Sequence, residues 1–97
     1  MRLQLEKFGK TLLSRESGRE AFKAFQSTFR GLSKEEELEI DFSGILTFSP
    51  GWADEFLSPL IHQLGDRLIL LPSDNLSVHA TLRILKEVNK RPFRIKS

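Results

Sequence analysis

An α/β fold, a small mixed β-sheet of about four strands covered by about three helices, is predicted by three stretches of this sequence. Leu38, Ile40 and Phe42 alternate with Glu39 and Asp41, the period of two that marks a half-covered strand. After Ser49-Pro50, Ala53, Phe56, Leu57, Leu60, Ile61 and Leu64 recur at helical spacing and make one apolar face. Arg67 to Leu71 (RLILL) then reads as a continuous apolar run, the pattern of a strand covered on both faces. Strands and helices alternating through short connections predict a sheet with helices packed on it.

The other elements follow in chain order. Arg2 to Leu5 alternates and predicts a short strand near a sheet edge. Phe8-Gly9-Lys10 reads as a turn, with Thr11 to Leu13 as a second strand closing a hairpin. Ser14 or Ser17 can cap the first helix, and Ser17 has capping-box spacing to Glu20. Ala21, Phe22, Phe25, Phe29 and Leu32 form its buried stripe, and Gly31 is placed to end it in a left-handed conformation. Ser49 supplies a cap oxygen for the second helix, and Pro50 occupies the first helical position, where its missing N–H costs nothing. Pro59 offers a place to split this helix, with Ser58 as a second cap. Pro72 to Asn75 caps a third helix that reaches about Asn89, with Val78, Leu82, Leu85 and Val88 as its core stripe. Pro92 ends it, and Phe93 and Ile95 supply a last edge strand.

Ninety-seven residues are enough for one core, so residues 1–97 are read as a single domain. Hydrophobic residues at 39% and charged residues at 29% fit a globular chain. No apolar run approaches the length of a membrane span, and MRLQLEKFGK lacks the apolar centre of a signal peptide. The absence of cysteine excludes disulfides and thiolate metal sites and permits a reducing compartment; a cytoplasmic location is expected. A net charge of +2 is too small to imply nucleic acid by itself. Its distribution is uneven: Glu35 to Glu37, Glu39 and Asp41 are acidic, whereas Lys86, Lys90, Arg91, Arg94 and Lys96 make the C-terminal end basic.

Three segments, FGKTLLSRESGRE (Phe8 to Glu20), IDFSGILTFSPGWADEF (Ile40 to Phe56) and LILLPSDNLSVHATLRIL (Leu68 to Leu85), together resemble the STAS-like DUF4325 family. That family is related to the STAS domains of anti-sigma-factor antagonists. The resemblance implies a STAS-type sheet with helices on it and a regulatory, non-enzymatic role in binding a protein partner. A histidine-kinase-like ATPase is the kind of partner that a role in partner-switching signalling would imply. In the antagonists the connection before the second helix reads D-S-S-G and its first serine is phosphorylated. Here Ser49, Pro50, Gly51 and Trp52 stand at those four places, so Pro50 replaces the phosphorylated residue. Ser49, one residue earlier, is left as the candidate phosphorylation site.

If the central strands run parallel, the helix starts gather beyond their carboxyl ends, where ligands usually meet such sheets. Ser14-Arg15, Ser49 to Trp52 and Ser73-Asp74 are then expected to share one pole. The expected partner-binding surface is Ser14, Arg15, Ser49, Pro50, Gly51, Trp52 and Glu55, with free backbone N–H groups accepting an acidic or carbonyl group. Trp52 has two readings, packing on the core or standing half-exposed as a binding anchor. Along the third helix, His79, Arg83, Lys86 and Lys90 form a basic stripe. With Arg91, Arg94 and Lys96 in the tail, its candidate phosphate contacts are Arg83, Lys86, Lys90 and Arg91. Nucleic acid is therefore the alternative partner, though no base-reading motif accompanies the stripe. A small-ligand sensor at the helix-start pole is a further alternative. No cofactor is expected.

Catalytic and metal patterns are weak. Gly9-Lys10-Thr11 imitates the end of a phosphate loop, but Gln4 stands where that loop needs glycine. Glu55, Ser58 and His62 share one side of the second helix without an oxyanion hole in view, so no catalytic residue is assigned. His62 and His79 lack paired ligand spacing, and no metal ligand is assigned. The two edge strands leave dimerisation by strand pairing open.

Overall fold

The computed structural model describes residues 1–96. In chain order the elements are β1 (Arg2–Gln4), a 3-10 turn (Leu5–Phe8), β2 (Thr11–Leu12), α1 (Arg15–Arg30), β3 (Leu38–Asp41), β4 (Thr47–Phe48), α2 (Pro50–Leu64), a second 3-10 turn (Gly65–Arg67), β5 (Leu68–Leu70), α3 (Leu76–Asn89) and β6 (Arg94–Ile95). The α/β class is as the sequence predicts. A four-stranded sheet has the order β1-β3-β5-β6, and β2 pairs separately with β4. Every pairing is parallel, with Leu3 beside Ile40, Ile40 beside Leu70 and Leu70 beside Ile95.

The expected hairpin of residues 2–13 does not form. A 3-10 turn follows β1, and Gly9, at φ 125°, redirects the chain away from it. β2 then pairs in parallel with β4, Thr11 beside Thr47 and Leu12 beside Phe48. This ladder brings two helix starts together, because β2 leads into α1 and β4 into α2. Ser14 caps α1 by accepting from the Ser17 N–H at 3.0 Å, so the alternative Ser17 cap is not used. Gly31 ends α1 at φ −81°, in the right-handed region rather than the left-handed one expected. Helix α2 runs unbroken through Pro59 instead of splitting at Ser58. The left-handed residue at a helix end is Lys90, at φ 59° after α3.

The core joins Leu3, Ile40, Leu68 and Leu70 of the sheet to Ala21 and Phe25 of α1 and the apolar positions of α2. All six of the predicted α2 face residues are buried. Each large side chain so enclosed contributes about 1.5–3 kcal/mol relative to exposure. β5 is covered on both faces as expected, with different covers: Leu68 and Leu70 join the main hydrophobic cluster, whereas Ile69, 3% exposed, lies outside it. Register places it on the same face as Arg2, Glu39 and Arg94. On that face Arg2 Nη2 reaches Glu39 Oε1 at 3.3 Å and Lys96 Nζ reaches Glu39 Oε2 at 2.6 Å. Long charged side chains, with apolar stems, surround Ile69 there. Lys96, followed by Arg2, holds the Glu39 carboxyl below its usual range.

Candidate functional site

The paired ladder of β2 and β4 unites most of the predicted partner-binding residues, but as a packed joint. Ser49 Oγ donates to the Leu13 carbonyl and accepts from the Trp52 N–H at 3.4 Å. The Ala53 N–H is taken by the Ser49 carbonyl, and Pro50 has none to offer. Above Gly51 lies Arg15, whose Cγ would be 3.1 Å from a Cβ added there. Arg15 Nη1 meets Asp54 Oδ2 at 2.8 Å and Glu55 Oε2 at 3.1 Å, and Arg19 Nε takes Glu55 Oε1 at 3.1 Å. Hydrogen bonds from Arg15 and then Ser58 hold the Asp54 carboxyl below its usual range.

Trp52 is the clear correction. Its side chain is 1% exposed, so the reading of a half-exposed anchor is overturned. Its ring stacks on Phe56 at a centroid distance of 5.0 Å and lies 5.8 Å from Phe48 and 6.1 Å from Phe8. Gly18 of α1 opens the notch: a Cβ there would come 2.9 Å from the Trp52 Cα. A glycine inside a helical pattern is often a packing device, and this was the available signal. Of the free N–H groups expected at Ser49 to Trp52, those of Ser49 and Trp52 are taken within the chain, by the Leu12 carbonyl and Ser49 Oγ, and Pro50 has none. A phosphoryl group on Ser49 would remove the hydroxyl donor that holds the Leu13 carbonyl.

Ser73 and Asp74 do not join this cluster. They line an open groove of about 690 Å³ with Phe42, Ser43, Gly44 and Ile45, beyond the carboxyl ends of β3 and β5. Its polar groups largely serve the loops themselves. The Ser43 N–H donates to Asp41 Oδ1 at 2.9 Å, and Ser43 holds the Asp41 carboxyl below its usual range. Asn75 Nδ2 donates to the carbonyls of Ile45 and Leu46, while its Oδ1 accepts from the Ser77 and Val78 N–H groups. One side chain therefore caps α3 and ties it to the loop before β4.

From that cap α3 divides into a packed and an open side. Val78, Thr81 and Leu85 are buried, and Thr81 Oγ1 donates to the Phe48 carbonyl at 2.6 Å. Val88, expected in the core, is 57% exposed, and the buried face includes the polar Thr81 instead. Leu76, Ile84 and Val88, with Ala80, form an exposed apolar line at intervals of four. Leu46 stands exposed near its start, its carbonyl held by Asn75.

Beside this line run His79, Arg83, Lys86 and Lys90, all exposed. Arg83, Lys86 and Lys90 form no ion pair among the described residues. The broader basic patch expected with the tail does not assemble. Arg94 pairs with Glu37 and Lys96 with Glu39 on the other face of the sheet, while Arg91 reaches toward Gly65. His79, Leu82, Arg83, Lys86, Pro92, Phe93 and Ile95 border a groove of about 370 Å³ between α3 and β6.

The serine, histidine and carboxylate considered on α2 are also separated in use. Ser58 Oγ donates to Asp54 Oδ1 and accepts from Asn89 Nδ2, Glu55 is paired with two arginines, and His62 faces solvent. Among the described residues no group of three His, Asp or Glu is placed to hold a metal ion, and no helix is long and apolar enough to cross a membrane. Comparison with protein-family models, curated proteins and solved structures finds no match to this chain.

Proposed function

We propose that this chain is a non-enzymatic regulatory module, STAS-like in build, that works in the cytoplasm by binding a protein partner through α3. A place in partner-switching signalling, opposite a histidine-kinase-like ATPase, is the setting that the sequence resemblance supports. The observation that carries the reading is the apolar line on α3, with Leu76 81%, Ile84 46% and Val88 57% exposed beside unpaired cations. A contiguous apolar strip on a small domain marks a contact surface far more often than isolated exposed leucines do. The surface moves from the start of α2 to α3, because Trp52 has no area left to offer.

Affinity capture followed by reconstitution of the purified pair tests this. The wild-type chain should bind its partner directly in calorimetry, and Ile84→Asp with Val88→Asp should abolish that heat with unchanged circular dichroism. Binding that survives both substitutions removes α3 from the surface. If no protein binds and an RNA or DNA oligonucleotide is retained with steep salt dependence, the function passes to nucleic acid.

A further inference from the structure

We propose that the groove between α3 and β6 receives an extended, acidic segment of the protein partner, an inference that rests on the protein-binding reading above. Leu82, Pro92, Phe93 and Ile95 supply apolar lining, and Arg83 and Lys86 stand on the α3 side. Among the described residues no carboxylate lines the groove. Glu87, the one carboxylate on α3, forms no ion pair among the described residues.

The contrast with the adjoining strand gives the charge argument its force. Arg94 and Lys96 are neutralised by Glu37 and Glu39, whereas Arg83 and Lys86, on the α3 side, form no ion pair among the described residues. Unfilled cations beside apolar lining fit a segment that alternates acidic and apolar side chains. Backbone geometry selects an extended form. β6 is an outer strand of its sheet, and the N–H of Lys96, the residue after it, already donates to the Leu70 carbonyl. Strand alternation then turns the Ile95 N–H and carbonyl outward, available to a added strand. Nucleic acid fits less well, since Phe93 is the one aromatic ring on the apolar part of the lining and the tail cations Arg94 and Lys96 face elsewhere.

The probe is a fluorescein-labelled short peptide alternating glutamate with leucine, compared by anisotropy with the same peptide carrying glutamine for glutamate. The glutamate peptide should bind and the glutamine peptide should not. Arg83→Glu with Lys86→Glu should weaken binding by about tenfold or more, while Lys23→Glu with Arg30→Glu, an equal charge change on α1, should shift it by less than about twofold. Equal losses in the two double variants, equal binding of the two peptides, or no binding of either overturns the proposal. So does stronger binding of oligo(dT) or of phosphatidylserine vesicles that Arg83→Glu with Lys86→Glu removes. If the peptide fails while a protein partner is still lost on Ile84→Asp with Val88→Asp, the groove assignment falls and the protein-binding reading stands. If the peptide binds as described but no protein partner depends on Ile84 and Val88, the groove stands and the α3 apolar line is rejected.

Discussion

Helices α2 and α3 begin alike and finish in opposite surroundings. Each follows a side-chain cap, Ser49 in one case and Asn75 in the other. Around α2 the neighbours close on nearly every side, from Trp52 at its start to Leu64 at its end. Around α3 they close on one side, leaving Leu76, Ile84 and Val88 to solvent. The lesson is that a cap with exposed-looking polar residues reports where a helix starts. Whether that start is a surface depends on what the preceding strand pairs with, and here β2 lays residues 13–15 over it.

The comparison breaks most sharply at Trp52. Trp52→Ala should cost about 3–5 kcal/mol in urea unfolding, because it empties the middle of the aromatic cluster. A loss below about 1 kcal/mol would mean that the ring is not enclosed and the α2 start is a rim after all. Thr81→Val probes the packed side of α3 and should cost about 1–3 kcal/mol by removing the hydroxyl that holds the Phe48 carbonyl. The joint at Arg15 gives a smaller, pH-dependent effect. Asp54 has its folded pKa lowered from an ordinary 3.8, so its charge stabilises the fold above that value and the contribution is lost on acidification through the folded value. Asp54→Asn should therefore flatten the acid limb of stability measured between about pH 5 and pH 2. On the open side of α3 the effect on folding should be smallest. Ile84→Asp with Val88→Asp should change stability by within about 0.5 kcal/mol per site while removing partner binding.

How much was legible differs by element for physical reasons. β3 and the α2 face were readable because each has enough residues to display a period, and Ser49-Pro50 and Pro72 to Asn75 mark helix starts by local hydrogen bonding. The pairing of β2 with β4 was not readable, since two-residue strands carry no period and their partners are remote in sequence. Trp52 lay off the apolar face by helical phase, and only the notch at Gly18 lets α1 come close enough to bury it. Thr81 was passed over for the core because its hydroxyl is polar, yet a buried acceptor at Phe48 makes that position suit threonine. The cation stripe on α3 was legible as spacing; the diversion of Arg94 and Lys96 required knowing that they face Glu37 and Glu39.

The uniformly parallel ladders bear on how the molecule assembles. Without a hairpin, no two adjacent segments can zip together at a tight turn, and Leu3 must find Ile40, Thr11 must find Thr47, and Leu38 must find Leu68. Closing such wide loops carries an entropic penalty before any pairing is gained, which slows the route to the native state. Docking of α1 against α2 is the step that can shorten those searches, since it sets β2 and β4 side by side as it forms. Gly18, where the two helices touch, is thus placed to govern the refolding rate as well as the final stability.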